Sequence, residues 1–193
     1  MVTLEKATKK QIILEAAAKL FRDRGYSATS MRDLAREVRL NPSSLYNHID
    51  SKEDMLQEIC FRNAHRFMQG ISEIEQLSIS NLEKIKALLC LHVEVATSDI
   101  TSITSFNDEW RHLEEPHLSQ FLYLRRDYEK RFLSIIQAGI NEGEIKNINP
   151  QVLFFTILSS VRWLYDWVKK EHDFSCQALQ NQFCEMLLDG VRN

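Results

Sequence analysis

SMRDLAREVRLNPSSLYNHIDSK, Ser30 to Lys52, decides how this chain is read. Ser30 with Asp33 three residues on is a capping-box variant, and Met31, Leu34, Ala35 and Val38 then form a short apolar stripe. Asn41 followed by Pro42 is a second start signal, a capping side chain with proline at the first helical position. The spacing predicts two short helices joined by a tight turn at Val38–Asn41, the second ending near His48 to Asp50. That second helix is too short to be stable alone. Its apolar side is only Leu45 and Ile49, which must pack on its neighbours, while Ser43, Ser44, Tyr46, Asn47 and His48 lie on the other side. A small polar helix with hydrogen-bonding groups at its N-terminal end suits a DNA major groove. Arg32, Arg36, Arg39 and Lys52 flank it and can reach phosphates. Helix spacing alone serves equally well for a plain αα-hairpin with a polar face.

Upstream, a helix is expected from about Thr8 to Arg24, stopped by Gly25, with Ile13, Ala17, Leu20 and Phe21 on one stripe. Downstream, Ser51 opens a helix to roughly Glu75, with Glu53 and Asp54 in its first turn, where carboxylates favour the helix dipole. Ser80 and Glu83 form a capping box before Ile85, Leu88, Leu89, His92, Val93 and Ala96. A segment over about Thr101–Leu113 follows, broken by Pro116, and then a helix over His117–Asn141 ended by Gly143. Asn149-Pro150 starts one to about Glu171, and Ser175 starts the last, to about Val191. The reading is all-α with about nine helices, without internal repeats or a Pro-, Gly- or Ser-rich linker.

Composition agrees. The 193 residues are 44% hydrophobic and 26% charged, with five Gly and three Pro, which disfavours loop-rich β folds and disorder. The longest uncharged run, Asn147–Val161, falls short of the roughly 18 residues of a membrane span. Met1–Lys10 has no apolar core, so no signal peptide is expected. Four cysteines without a CxxC pair suit reduced thiols in a cytoplasmic protein. The net charge of −3 hides an asymmetry: residues 1–52 hold ten Lys/Arg against six Asp/Glu, and residues 53–193 hold fourteen against twenty-one. A basic head on an acidic body fits a head that meets a polyanion.

With those residues in place, the stretch from about Lys9 to Cys60 resembles the N-terminal domain of TetR/AcrR-type transcriptional regulators. The matching pieces are "ILEAAAKLFRDRGYSATSMRDLA" and "NPSSLYNHIDSKEDML". The resemblance implies a helix-turn-helix DNA-binding domain over 1–52, comprising three helices and the start of a fourth, and a ligand-binding and dimerisation domain over 53–193. It implies phosphate contacts from Ser30, Tyr46, His48 and Lys52, and base-facing roles for Arg32, Ser43, Ser44 and Asn47. Two positions depart from the pattern. Arg39 stands where the family commonly has Gly, so a positive φ costing ~1 kcal/mol is expected there. Asn47 replaces a more usual aromatic, so the base preference does not carry over.

In Val152–Val168 only Arg162 and Asp166 are charged, which calls for burial on more than one face. The second cover is expected to be a partner subunit, through Phe155, Trp163, Phe183 and Leu187, with Leu179, Met186 and Val191 alongside; a wide internal core would serve as well. The resemblance implies a homodimer through the last two helices. The stretch EWRHLEEPHLSQFLYLRRDYEKRFLSIIQAGINEGEI, with Trp163 and Trp167 after it, is similar to the acyl-CoA-responsive subgroup of these regulators, which governs fatty-acid, aromatic-acid or sterol degradation. A CoA ligand needs cations for its phosphates and an apolar slot for its acyl chain. Arg111 and Arg125, with Arg126 and Arg131, are candidates for the first; Phe106, Trp110 and Tyr128, with Leu113 and Phe121, for the second. Helix arginines beside acids are, however, usually solvated surface pairs.

Other chemistries are less well supported. A di-iron oxidase needs paired Glu-x-x-His motifs, and Glu109–His112 has no second. His112 and His117 with Glu114 and Glu115 could sense a metal, but astride Pro116 they have no fixed ligand geometry. A redox sensor could use Cys176 and Cys184, but eight residues apart on one helix and so ~12 Å apart they cannot bridge each other; an intersubunit bridge is left open without support. No Ser/His/Asp set or phosphate-binding glycine loop occurs. The expectation is a non-enzyme without cofactor or resident metal: a DNA-binding regulator, a repressor that leaves its operator on binding a small-molecule inducer, with acyl-CoA the candidate. Its alternatives are a metal- or redox-sensing regulator of the same fold, or a helical-bundle enzyme that does not bind DNA.

Overall fold

Each start signal in the sequence becomes a hydrogen bond in the computed structural model, which describes residues 8–164, 175–189 and 191. Thr8 accepts from the Gln11 N–H to open α1 (Lys9–Arg24). Gly25 closes it with φ 86°, a backbone region open to glycine. Ser30 and Asp33 form a complete capping box on α2 (Met31–Glu37). Asn41 accepts from the Ser44 N–H at 2.7 Å to open α3 (Pro42–Tyr46). Ser51 accepts from the Asp54 N–H at the start of α4 (Lys52–Glu75). Ser80 and Glu83 box the start of α5 (Asn81–Ser98).

Then come α6 (Ile100–Asp108), a 3-10 turn (Trp110–His112) and α7 (His117–Asn141), after which Gly143 takes φ 75°. Asn149 caps α8 (Pro150–Arg162), and Ser175 caps α9 (Cys176–Leu188). The described residues thus hold nine α-helices and no β-strand, and none of the helices is long and apolar enough to cross a membrane.

Two boundaries differ from expectation. The α3 helix ends at Tyr46, although the His48 and Ile49 N–H groups still donate to the Leu45 carbonyl. The segment expected over Thr101–Leu113 stops as α-helix at Asp108 and tightens into the 3-10 turn, a common way for a helix to finish. The expected continuation of α8 to Glu171, with Asp166, Trp167 and Val168, lies outside the described residues.

The chain forms two compact units that do not follow a division at residue 52. The first joins the chain up to Asn63 with Thr101–Phe121; the second joins Ala64–Ile100 with the chain from Leu122. In the first unit Phe21, Leu34, Leu45, Met55 and Leu56 are fully buried. The later segment is built into this core. Ser105 donates to the Ala18 carbonyl at 3.0 Å, and Asn63 donates to Ser102 Oγ at 2.6 Å, all out of solvent. In the second unit α5 packs along α9 and α8, with Ile85, Leu88, Leu89, Phe132 and Ile157 buried.

Candidate nucleic-acid interface

The α3 helix divides its residues as its length requires. Leu45 and Ile49 are buried in the first unit, while Ser43, Tyr46 and Asn47 are exposed and Ser44 and His48 half-buried. Half of the Tyr46 surface faces solvent although the residue is large and aromatic. Leu45 of α3 and Ile49 just past it hold the segment on the first unit, and its exposed face carries the polar groups.

Ser30 is exposed, but its hydroxyl accepts from the Asp33 N–H and donates to the Asp33 carboxylate. That bond, first, and then Arg24 and Arg36 hold the Asp33 carboxyl below its ordinary pKa. Arg32 and Arg39 are exposed on the same unit. Arg39 has φ 55°, as its place in a glycine-type turn implied; it is the one non-glycine residue at positive φ among the described residues.

Lys52 has a role that sequence spacing did not give. Its ammonium donates to the carbonyls of Tyr26 at 2.8 Å and Thr29 at 2.9 Å, and lies 4.1 Å from the centre of the Tyr26 ring. An ammonium has three donors, so one remains after fixing the turn between α1 and α2. Tyr26 stacks on His112 at 5.1 Å, and burial first, then Glu53, Glu114 and Asp54, pushes its hydroxyl up to about 12. Tyr26 lies within the matched N-terminal stretch, but that stretch assigns it no role. Its importance arises from a contact across 86 positions of sequence, which no local pattern encodes.

The five residues expected to take the effector fall in two different units. Phe106 and Trp110 belong to the first, where both pack on Phe121 with ring centres 5.4 and 6.0 Å apart. Arg111 lies over the Trp110 ring at 4.7 Å. Arg125 and Tyr128 belong to the second. There Tyr128 is buried, shares a 2.8 Å hydrogen bond with His92 Nε2 and meets Phe67 and Phe132 edge-on. Burial lowers the His92 imidazole to about 4 and raises the Tyr128 hydroxyl, so both are neutral at ordinary pH. Arg125 and Arg126 are exposed. Arg131 is committed: it grips Glu75 with two nitrogens, reaches Ser72 and lies 3.7 Å from Asp127.

The histidines considered for a metal point to separate partners, His112 to Glu109 at 3.5 Å and His117 to Glu53 at 3.4 Å. No group of three or more His, Cys, Asp or Glu among the described residues is arranged to hold a metal ion.

Of the four residues expected at a subunit seam, Phe155 and Trp163 are exposed by 53% and 49%, and Leu187 is half-buried. Phe183 is instead covered within its own chain, stacked on Trp163 at 5.8 Å. Val152 of α8 and Met186 of α9 are also exposed, at 62% and 81%, so each of these helices carries large apolar side chains on its outer face.

A helix-turn-helix with a polar, outward third helix defines a DNA-binding transcriptional regulator, and comparison with known proteins agrees. Residues 13–59 match the family described as bacterial regulatory proteins, tetR family, and residues 78–191 match the tetracyclin repressor-like C-terminal domain. The chain belongs to the TetR family, whose members are regulators, not enzymes. It is 25% identical over 191 residues to the HTH-type transcriptional repressor KstR2 of Rhodococcus jostii, covering 98% of this chain and 94% of that one. Its fold matches the structure of the ketosteroid transcriptional regulator KstR2 of Mycobacterium tuberculosis with TM-score 0.90, 22% identity and full coverage of both chains. It also matches AibR, crystallised with isovaleryl coenzyme A and operator DNA, with TM-score 0.79 and 24% identity over 94% of this chain and 98% of that one.

Proposed function

We propose that this regulator is a dimeric, cytoplasmic repressor that leaves its operator when an acyl-CoA thioester binds. The observation that carries the DNA part is the exposure of Ser43, Tyr46 and Asn47 on the short α3 segment, whose buried side chains are Leu45 and, just past the helix, Ile49. Residues 1–52 meet DNA. Arg32, Ser43, Ser44 and Asn47 face base edges, and Ser30, Tyr46, His48 and the remaining donor of Lys52 face phosphates. Residues 53–193 supply the effector site and the subunit contact, the latter through the outer faces of α8 and α9 around Phe155, Trp163 and Leu187.

The repressor sense rests on the repressor name of the KstR2 relative, and the effector class on the isovaleryl coenzyme A bound by the AibR neighbour. Phe106, Trp110 and Tyr128 are the aromatic candidates for the acyl chain. Arg111 and Arg125 are the cationic candidates for CoA phosphates or a polar acyl end. A thioester releases DNA only if it binds the DNA-free conformation better than the DNA-bound one. The test is a titration of CoA thioesters, the matching free acids and divalent metals against a labelled operator recovered from genomic fragments. Release by thioesters alone is the expected result; release by a free acid, a metal or an uncharged lipophile overturns the CoA assignment.

A further inference from the structure

Two of the four cysteines, far apart in sequence, meet in the second unit. Cys90 of α5 and Cys184 of α9 have their sulfurs 3.7 Å apart, and all four cysteines are free thiols. The contact is held in register beside the sulfurs, where Gln180 of α9 donates to the Cys90 carbonyl at 3.0 Å. Cys90 is half-buried and Cys184 buried. Cys184 also lines an open groove of about 540 Å³ between the two helices, together with Glu83, Lys86, Asn181 and Glu185. The other two thiols differ. Cys60 is buried in the first unit, and Cys176 accepts a hydrogen bond from Thr97.

We propose that Cys90 and Cys184 are a modification site, a thiol pair that hydrogen peroxide converts to an intramolecular disulfide joining α5 to α9. The sulfurs must close from 3.7 Å to the ~2.05 Å of a bond, which adjustment of two side chains on packed helices can supply. Cys90, half-buried where Cys184 is buried, is the nucleophile; its contact with the Cys184 thiol, first, and then the Lys86 ammonium favour its anion against the opposing effect of burial. The same contact, with burial, holds the Cys184 proton on. A thiolate is the reactive form.

In the first step the Cys90 thiolate attacks one peroxide oxygen. The O–O bond breaks, Cys90 becomes a sulfenic acid, and the departing hydroxide takes up the proton that Cys90 had released, giving water. In the second step the Cys184 sulfur attacks the Cys90 sulfur. The S–O bond breaks, and the hydroxyl leaves as water with the Cys184 proton. Two thiols and one peroxide give one disulfide and two waters; the sulfurs are oxidised and the peroxide reduced. The bond fastens α9 to α5, so the second unit gains an input separate from any effector.

The experiment uses the reduced full-length protein treated with stoichiometric hydrogen peroxide, then alkylated, digested and mass-analysed. One peptide pair linking Cys90 to Cys184 should appear, with Cys60 and Cys176 alkylated. Cys184→Ala should leave a Cys90 sulfenic acid that dimedone traps, and Cys90→Ser should give neither product. The bridged protein should unfold at a higher temperature than the reduced one, and dithiothreitol should reverse the difference. A bond between subunits, a bridge through Cys60 or Cys176, dimedone on wild-type Cys90 without a bridge, or no oxidation at all would overturn the proposal. So would a bridged form with an unchanged melting temperature.

Discussion

At the scale of single residues, Lys52, Asn47 and His92 can each be tested separately. Lys52 fixes the turn at Tyr26 and Thr29 through two charge-assisted hydrogen bonds. Lys52→Ala should therefore weaken binding to every DNA sequence alike and also cost about 1–2 kcal/mol of stability. Asn47 is exposed, so Asn47→Ala should shift base preference with little change in melting temperature. Binding measured on a set of single-base operator variants, alongside thermal unfolding, separates the two effects. His92 gives a pH signature. Its folded pKa, about 4, lies below the ordinary 6.5, so the unfolded chain binds the proton more readily. Stability is then fully present above pH 6.5 and falls as the pH drops towards 4, by about 3 kcal/mol in all. Melting curves over that range should be steeper in pH for the wild type than for His92→Gln.

At the scale of elements, capping signals and boundaries were the most legible part of the sequence. Ser30, Asn41, Ser80, Asn149 and Ser175 each start a helix where a polar side chain precedes an apolar stripe. These are local facts, fixed by a few neighbouring residues. The candidate site was legible to the same extent: the polar face of α3 follows from counting along one short helix. Lys52 on the Tyr26 and Thr29 carbonyls, Tyr26 on His112 and Cys90 against Cys184 were not legible, because each joins residues many turns of chain apart. Phe183 illustrates the limit. An apolar residue on a helix stripe reads the same whether its own chain or a partner covers it, and here Trp163 stacks on it. Phe183→Glu should accordingly unfold the second unit, as a buried unpaired carboxylate does. Phe155→Glu and Met186→Glu, on the outer faces, should give folded monomers. Circular dichroism with sedimentation distinguishes these outcomes, and a folded dimer from either outer-face variant would refute the seam.

At the scale of the whole molecule, the charge asymmetry of the sequence sets how binding responds to salt. Neutralising phosphates releases counterions, so affinity should fall steeply and linearly in log–log form as salt rises. A dimer should favour two half-sites about one helical turn apart, ~34 Å, or a small multiple of it. Footprinting on the selected operator at several salt concentrations checks both, and a flat salt response would argue against phosphate contacts from the basic head.

The first unit is assembled from two stretches of chain, with residues 64–100 lying between them. The reading head is therefore not a cassette that recombination can lift out as one block. A crossover after residue 63 would pair one parent's Ala18 carbonyl, Tyr26 and Phe61 with another parent's counterparts of Ser105, His112 and Phe121. Chimeras between such regulators should inherit DNA specificity cleanly only when residues 101–121 travel with the N-terminal segment. Over evolutionary time these two pieces should drift together, as a single unit of inheritance written in two places.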